Sequence, residues 1–398
     1  MKVNWLGMII MAVLCIAMDV YICRRLSRNG YRWTMRFNAL LALLSAALVI
    51  GIGVLPMSSA STPNSTFVTC QYMLYTFFAI LAPKAVGMAV YGIGRWAKRR
   101  WAAMCAFIVA ALIFGVMWWG AIVTPGTLEV REVELEFDRL PEAFDGYRIV
   151  QWSDAHLGTY GGRTAIVEKQ INAINALQPD LICFTGDLVS RETNEAEPYR
   201  DLLSGLHARD GVFSVLGNHD YDNYVQWDDE NDKLADRKAL CDLQRGIGWR
   251  LLNDDYALIK RGNDQIVLIG TENFGDRPGE KRGNLARAYG GLHDNNFKIQ
   301  LQHNPYAWRA NTLTNSNIDL MLAGHTHAFQ MMLTLGNWRI SPARLRYREW
   351  GGAYHEGDRW LYVNIGTGMV GPPMRIGATP EITVITLKKK RPDQAAVN

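Results

Sequence analysis

The fold class of this chain follows from the stretch Asp319-Leu320-Met321-Leu322-Ala323-Gly324-His325-Thr326-His327. Residues 319–323 form a short apolar run that ends at a glycine, which is typical of a buried strand. His325 and His327 are two positions apart, so their imidazoles lie on the same side of an extended turn. Two imidazoles directly after a buried strand predict metal ligands at the strand end of an α/β domain.

Four further motifs follow predicted strands in the same way. They are Asp154-Ala155-His156, Gly186-Asp187, Gly217-Asn218-His219-Asp220 and the single His303. The strands before them are predicted at 147–153, 181–185, 212–216 and 298–302, with further strands at 128–137, 266–269, 361–365 and 381–387 and a helix at 164–177. Because ligands in α/β sheets gather at the carboxyl ends of strands, we expect the five motifs to converge.

Each motif alone has a plain structural explanation. Asp187 could be a turn aspartate that caps the next segment. Asn218 and His219 could form a solvated turn, and His303 could be a structural histidine at a strand end. Their order and their shared position after strands favour one common metal site instead.

The side chains of these motifs form a set of metal ligands with a proton donor beside it. The seven candidate ligands are Asp154, His156, Asp187, Asn218, His303, His325 and His327. Oxygen and imidazole ligands without thiolate suit Mn, Fe or Zn, and a carboxylate such as that of Asp187 can bridge two cations. His219 need not bind metal, and the adjacent Asp220 is expected to hold its ring and favour the protonated form. The pattern predicts two divalent metal ions.

The first part of the chain is predicted to span a membrane. The chain has 398 residues and a formal charge of +4, and its first part, about 125 residues, is almost free of acidic residues. Four apolar runs there, at 5–23, 37–56, 67–94 and 101–123, reach the roughly 20 residues that a membrane-spanning helix needs, with buried core helices as the alternative. The small basic excess lies beside these runs, so no nucleic acid partner is expected. Six cysteines without a CxxC pair support neither a zinc ribbon nor a disulfide framework.

The loops between these runs predict the orientation in the membrane. The basic residues are Arg24, Arg25, Arg28, Arg32 and Arg36 after the first run, and Arg95, Lys98, Arg99 and Arg100 after the third. The loop 57–66 carries no charge. The basic loops are therefore predicted to be cytoplasmic, which places everything after Val123 on the extracytoplasmic side of a multi-pass inner-membrane protein.

Two ionisable residues, Asp19 and Lys84, lie within the apolar runs. Such a charge can mark a functional site. The favoured interpretation places Asp19 near the cytoplasmic interface beside Arg24. In the same interpretation, the side chain of Lys84 snorkels towards the interface, or Lys84 marks a break in the third helix after Pro83.

At the five motifs the sequence resembles the calcineurin-like metallophosphoesterase family, in particular its bacterial membrane-anchored members with a Gly-His-Thr-His motif. The resemblance covers roughly 130–387. It implies a four-layer sandwich of two mixed β-sheets flanked by helices, preceded here by a bundle of four transmembrane helices. The predicted domains are a transmembrane region at 1–125, a metallophosphoesterase domain at 126–390 and a tail at 391–398.

The resemblance also implies a role for each site residue. It assigns one metal to Asp154, His156, Asp187 and His327, and the other to Asp187, Asn218, His303 and His325, with Asp187 bridging. His219 would donate a proton to the leaving group, assisted by Asp220.

Three departures from the family pattern bear on the substrate. Gly186-Asp187 continues as Leu188-Val189-Ser190-Arg191, not as the Asp-Arg-Gly of protein Ser/Thr phosphatases, and the third motif ends in Asp220 rather than Glu. Both argue against a phosphoprotein phosphatase. Many relatives have Gly-Gly-Gln after the last motif, whereas this chain has Ala328-Phe329-Gln330, so Phe329 is expected to narrow or line the pocket.

The predicted function is a membrane-anchored phosphoesterase. Two cations about 3.5–4 Å apart share a water and lower its pKa; the bridging hydroxide then attacks phosphorus, and His219 acts as the general acid. The substrate is a phosphodiester, a pyrophosphate or a monoester, and a lipid-linked one is suggested by the adjoining spans. Residues that could meet headgroups or phosphate, with surface charge and packing as the alternative, are Trp350, Arg344, Arg346 and Arg375.

Two other classes of function are weighed against this one. A catalytically silent membrane sensor or scaffold should have lost ligands, whereas all seven are present here. A one-metal hydrolase such as a peptidase would need H-E-x-x-H, which this chain lacks. The sequence predicts neither the oligomeric state nor the native metal pair.

Overall fold

The structure is a computed structural model of the 398-residue chain. It describes residues 5–28, 32–54, 59–60, 62–290, 295–336 and 338–391. The chain forms two compact units. One is Met1–Val123 together with Gly371–Ile376, and the other is Thr124–Val370 together with Gly377–Asn398. The predicted tail lies outside the described residues except for Arg391.

The first unit consists mainly of helices. They are α1 (Trp5–Arg28), α2 (Arg32–Val54), α3 (Asn64–Trp96) and α4 (Ala102–Ile122). Within the described residues, three stretches are long and apolar enough to cross a membrane: Arg32–Gly53, Asn64–Trp96 and Ala102–Gly126. Helix α1 covers the first predicted run but is not among the three, so a fourth span stays a prediction.

Asp19 and Lys84, the two ionisable residues within the predicted apolar runs, form an ion pair that the sequence did not predict. Lys84 Nζ lies 2.7 Å from Asp19 Oδ1, and both side chains are largely buried. Helix α3 also continues through Pro83 instead of breaking there. Pairing is favoured because an isolated charge among apolar helices has neither water nor a counter-ion.

A short segment from late in the chain belongs to the helical unit. Gln71 Nε2 donates to the Gly371 carbonyl at 3.0 Å, and Arg375 N donates to the Gly120 carbonyl at 2.8 Å. Met374 packs against the buried Tyr75. The segment Gly371–Ile376 therefore lies against α3 and α4, and Arg375 itself is fully buried.

The second unit is built on strands and shorter helices. The strands are β1 (Glu129–Phe137), β2 (Arg148–Trp152), β3 (Leu181–Phe184), β4 (Val212–Ser214), β5 (Arg250–Leu251), β6 (Asp255–Arg261), β7 (Asp264–Gly270), β8 (Phe297–Leu301), β9 (Leu320–Ala323), β10 (Leu333–Leu335), β11 (Trp338–Ile340), β12 (Gly352–Glu356), β13 (Arg359–Val363) and β14 (Glu381–Lys389). The helices are α5 (Thr164–Ala176), α6 (Arg200–Ser204), α7 (Glu230–Gly246), α8 (Leu285–Tyr289) and α9 (Leu313–Asn315).

These strands form two six-stranded sheets and a separate hairpin. The first sheet has the order β1-β14-β2-β3-β4-β5, and the second has the order β12-β13-β9-β8-β7-β6. Both are mixed: β2, β3, β4 and β5 run parallel while β14 is antiparallel to β2, and β7, β8, β9 and β13 run parallel while β6 and β12 are antiparallel to their neighbours. The prediction of two mixed sheets with helices is confirmed.

The sheets are held together by apolar side chains that the strands bury. One core combines side chains of both sheets: Ile149, Leu181 and Ile385 from the first, and Ile266, Ile299 and Leu320 from the second. The outer face of the first sheet is covered by α5, which buries Val167, Ile171 and Ile174 at helical spacing. Helix α8 covers part of the second sheet. Burial on both sides keeps the strand ends, and the loops that follow them, in fixed positions.

The strands that sequence patterning missed are short or polar. Strand β5 has two residues, and β10 and β11 have three each. Strand β6 buries only Ala257 and Ile259, which alternate with exposed residues. Apolar periodicity is a poor guide to strands of this kind.

Candidate metal centre

The carboxyl ends of five strands bring the predicted ligands together. Loops after β2, β3 and β4 carry Asp154, His156, Asp187 and Asn218, and loops after β8 and β9 carry His303, His325 and His327. Ligand atoms of Asp154, His156, Asp187 and His327 all lie within 4.8 Å of one another, and so do those of Asp187, His303 and His325. Asn218 Oδ1 lies 3.1 Å from His303 Nε2, beside the second group.

Asp187 is shared by the two groups. Its Oδ2 atom lies 3.5 Å from His156 Nε2 and 3.2 Å from His303 Nε2. On the side of the first group, His327 Nε2 lies 3.1 Å from Asp154 Oδ1. One carboxylate oxygen therefore faces ligands of both groups, as a bridging ligand would.

The outer nitrogens of the imidazoles are engaged by neighbouring oxygens. His303 Nδ1 donates to the Thr185 carbonyl at 2.8 Å. His156 Nδ1 lies 3.3 Å from Ser190 Oγ, and His325 Nε2 lies 3.0 Å from the Tyr347 hydroxyl. Such contacts orient metal-binding histidines and point the other ring nitrogen inwards.

The inner nitrogens face one another closely. His156 Nε2 and His327 Nε2 are 3.2 Å apart, and so are His325 Nδ1 and His303 Nε2. Nitrogen lone pairs at this separation repel unless a proton or a cation lies between them. The donor set of carboxylates, one carboxamide and imidazoles therefore fits divalent metal ions.

Electrostatics inside the cluster point the same way. Burial lowers the pKa of His325 to about 3, and the nearby His303 adds to this effect. Burial also opposes a charged His303, but the Asp187 carboxylate outweighs it and raises the pKa of His303 to about 10. A proton on His303 and a metal cation are alternatives at this place, because either one offsets the Asp187 charge.

Five of the seven predicted ligands have left-handed backbone conformations. Their φ angles are 50° at Asp154, 43° at His156, 59° at Asp187, 75° at His325 and 50° at His327. A residue with a side chain in this region costs of order 1–3 kcal/mol, and such strain concentrates at functional sites. These strained backbone conformations lower the stability of the fold, but they direct the ligand side chains towards the centre of the cluster.

Two glycines allow the loops to approach these carboxylates. A Cβ at Gly217 would lie 2.1 Å from Asp187 Oδ1. At Gly366, where φ is +73°, a Cβ would lie 2.5 Å from that of Asp154. Gly366 follows β13 and was not singled out from the sequence, because a lone glycine after a strand carries no ligand spacing.

His219 is oriented by Ser190 and Tyr224. Its Nδ1 donates to the Ser190 carbonyl at 2.7 Å, and its ring stacks on Tyr224 with centroids 3.7 Å apart and planes 6° apart. The Tyr224 hydroxyl also accepts from Asn218 Nδ2 at 2.6 Å. Burial lowers the pKa of His219 to about 4, against the opposing charge of Asp187. Sequence reasoning missed Tyr224, since an aromatic residue six positions after Asn218 has no distinctive pattern.

The Asp220 carboxylate is occupied by backbone amides. It accepts from the amides of Asp187 at 2.8 Å, Leu188 at 2.9 Å, Gly217 at 2.9 Å and Val189 at 3.2 Å. Burial and the Asp187 charge raise its pKa to about 7, which the amides of Gly217 and Val189 oppose. Asp220 was expected to hold the His219 ring, but in the structure it holds the loop that carries Asp187.

The predicted headgroup contacts fall into two groups. Trp350 and Arg375 are buried, so the packing alternative applies to them. Arg344 is exposed, and Arg346 pairs with Asp276. Phe329 is partly exposed and lies edge-on to Tyr347 with ring centroids 5.9 Å apart, so it stands beside the residue that contacts His325.

Comparison with known proteins agrees with this geometry. The family model described as calcineurin-like phosphoesterase matches residues 147–329. An uncharacterized metallophosphoesterase of Bacillus subtilis, YkuE, is 33% identical over 66% of this chain and 87% of its own length. The chain belongs to the calcineurin-like metallophosphoesterase family.

Two further members of this family have informative names. A zebrafish transmembrane protein with metallophosphoesterase domain is 30% identical over 66% of this chain, which spans only 57% of that protein. The UDP-2,3-diacylglucosamine pyrophosphatase LpxG of Chlamydia trachomatis is 26% identical over 63% of this chain and 86% of its own length. The solved structure of phosphopantetheinyl hydrolase (PptH) from Mycobacterium tuberculosis matches 49% of this chain and 89% of its own length. The sequence identity is 13% and the TM-score is 0.30.

Proposed function

We propose that this chain is a membrane-anchored phosphoesterase that works with two divalent metal ions. One observation carries the proposal: seven donor side chains from five loops converge, with Asp187 Oδ2 between His156 and His303. Family membership supports the reaction class, and the three apolar helices support the anchor.

The donor groups divide between two ions that share Asp187. Asp154, His156, Asp187 and His327 would hold one ion, and Asp187, Asn218, His303 and His325 would hold the other. When bound, such ions supply Lewis acidity and lower the pKa of a water molecule. The protein holds the donors in place by the contacts of Thr185, Ser190 and Tyr347 with the histidines.

His219 is the residue we assign to proton transfer. Because its Nδ1 donates to the Ser190 carbonyl, Nε2 is the ring nitrogen that would carry the transferred proton. Burial lowers the pKa of His219 to about 4, so the negative charge of a bound phosphate would have to favour the protonated ring before the proton passes to the leaving oxygen. Stacking on Tyr224 restricts rotation of the ring. Asp220 contributes through the backbone of the Asp187 loop rather than through His219.

The substrate we propose is a phosphate ester or pyrophosphate, with a lipid-linked one as the more specific form. The name of the Chlamydia relative, a diacylglucosamine pyrophosphatase, supports a lipid-linked substrate. The basic clusters after the first and third apolar runs support a multi-pass inner-membrane protein whose catalytic unit faces the extracytoplasmic side.

The experiment is metal counting combined with a substrate panel on the full chain purified in detergent. After loading with Mn²⁺, we expect two ions per chain and hydrolysis of at least one of an aryl monoester, an aryl diester and a lipid pyrophosphate. Asp187→Asn should lose both ions and turnover. Two ions without any hydrolysis would favour a silent sensor or scaffold, and one ion per chain would favour a one-metal hydrolase.

The role of His219 is tested separately. His219→Ala should keep two metal ions but lower kcat by roughly 10²–10⁴-fold for an alkyl ester, since general-acid catalysis contributes that much. A nitrophenyl ester, whose leaving group needs little protonation, should be affected less. His207→Ala, at an exposed histidine, is the control. Loss of metal along with activity would remove the proton-donor assignment.

A further inference from the structure

The hairpin β10–β11 exposes apolar side chains on one of its two faces. Leu333 pairs with Ile340 and Leu335 pairs with Trp338. Directly opposed residues and residues two apart share a face, so these four side chains form one apolar face. The other face carries Thr334 and Arg339, and Arg339 approaches Glu129 of the protein body at 3.9 Å.

All four side chains of the apolar face are exposed. Relative exposures are 56% for Leu333, 61% for Leu335, 76% for Trp338 and 50% for Ile340. An isolated two-stranded hairpin is marginal in water, and a contiguous exposed apolar patch marks an interaction site. On the other face Thr334 is exposed and Arg339 is half-buried. Exposure of the four apolar side chains is the unfavourable feature in water, and an apolar cover would relieve it.

The size of the face argues against a protein partner. A stable protein interface takes about 20–30 residues and roughly 800 Å² on each side. Four strand side chains, with Leu345 at 92% exposure nearby in the chain, form a much smaller surface. A bilayer has no such minimum, because each apolar side chain partitions into it separately.

The residues around the face match the chemistry of a lipid surface. Tryptophan is enriched at the boundary between headgroups and hydrocarbon, and Trp338 is the most exposed of the four apolar residues of the hairpin. Arg344 and Arg348 follow in the chain and are exposed, as expected for contacts with phosphate headgroups. The chain also has three helices apolar enough to span a membrane, so a bilayer is available to every copy.

We propose that the apolar face of the β10–β11 hairpin inserts into the interfacial zone of a lipid bilayer. The hairpin continues directly from the loop that carries His325 and His327. It is tied to that loop by the bond from Ser341 Oγ to the Ala328 carbonyl. Bilayer contact therefore holds the loop of two candidate ligands at the lipid surface. The insertion itself is independent of whether the unit hydrolyses a phosphate ester.

The test places an environment-sensitive fluorophore on the hairpin of the full chain in lipid nanodiscs. Leu335→Cys is labelled, and lipids with nitroxide groups on their acyl chains act as quenchers. The matched control is Asp358→Cys, an exposed residue at the turn between β12 and β13. The unsubstituted chain, labelled in parallel, accounts for the native cysteines.

We expect blue-shifted emission and several-fold stronger lipid quenching at position 335 than at position 358. Adding Trp338→Ser to the labelled variant should reduce the quenching. Because both changed side chains are exposed, metal content and thermal midpoint should stay unchanged, which verifies the fold. The proposal would be overturned if the label at position 335 emitted like the label at position 358. It would also be overturned if the blue shift depended on protein concentration and not on nitroxide lipid, a result that would assign the face to a second copy of the chain.

Discussion

At the scale of single residues, the candidate centre depends on backbone conformations that side chains ordinarily avoid. Asp154, His156 and Asp187 adopt positive φ values in the loops after β2 and β3. Asp and His tolerate this region better than most residues, so the residue types that supply ligands are also suited to these turns. The surrounding hydrogen bonds, chiefly those to Asp220, hold the Asp187 loop in this state.

Replacing Asp220 by asparagine tests whether it acts on the loop or on His219. The amide group of Asp220→Asn can accept at one oxygen only, which leaves buried backbone amides unpaired. We expect the free energy of unfolding to fall by about 1–3 kcal/mol, measured by thermal denaturation of the metal-loaded chain. Turnover of esters with good and with poor leaving groups should fall by the same factor.

The exposed Asp358→Asn is the control for this change. A selective loss with poor leaving groups, at unchanged stability, would show instead that Asp220 supports proton donation by His219.

At the scale of elements, the segment after β13 braces the loop of the first motif. Gly368 N donates to the Asp154 carbonyl at 2.7 Å, and Thr367 N donates to the Ser153 carbonyl at 3.2 Å. Trp152 Nε1 donates to Thr367 Oγ1 at 2.8 Å. A strand of the second sheet therefore positions a ligand that follows a strand of the first sheet.

Gly366→Ala should weaken metal binding through this brace. The new methyl group would meet the Asp154 side chain and displace the carboxylate, and changes behind a metal ligand typically cost 10–100-fold in affinity. The measurement is competition of Mn²⁺ binding against a chelator of known affinity.

Gly357→Ala is the matched control, because Gly357 also has a positive φ, +60°, but open space around its Cβ position. Both variants share the backbone strain, and only Gly366→Ala meets a ligand. Equal losses of affinity in the two variants would mean that strain alone is responsible.

At the scale of the whole molecule, the two units are stabilised by different means. The helical unit has long apolar helices and the buried pair of Asp19 and Lys84. The sheet unit buries Asp154, Asp187 and most of the surrounding imidazoles in one place, where bound cations would balance charges that the protein alone leaves close together.

Removal of metal should therefore destabilise the sheet unit. A ligand present at a hundred times its dissociation constant stabilises the folded state by about 2.7 kcal/mol. This corresponds to roughly 5–10 °C in the thermal midpoint of a domain of this size. Near-ultraviolet circular dichroism of the full chain in detergent, with and without chelator and after Mn²⁺ is restored, measures the shift.

Asp187→Asn is the control for chelation. Because this variant should no longer bind the ions, its thermal midpoint should not change when chelator is added. Helicity from the far-ultraviolet signal should largely persist in the helical unit. An unchanged midpoint on chelation would contradict a structural role for the ions.

The sequence by itself determined the candidate ligands and the positions of the strands that precede them. Apolar runs such as 320–323 predict buried strands because burial on both faces demands apolar side chains at every position. The ligands that follow them were predicted to converge because parallel strands end at the same edge. Length and composition also predicted four membrane spans, and three of these correspond to helices of the described residues that are long and apolar enough to cross a membrane.

Only the tertiary structure decided which groups support those ligands. Tyr224, Ser190 and Gly366 act through contacts between separate loops, and no local spacing in the sequence predicts such contacts. Asp220 was assigned to His219 by adjacency in the sequence, whereas the folded backbone turns its carboxylate towards the Asp187 loop. The exposed apolar face of the β10–β11 hairpin was not predicted for the same reason: alternation shows that a strand has two faces, but only the packing of the whole chain decides what each face contacts.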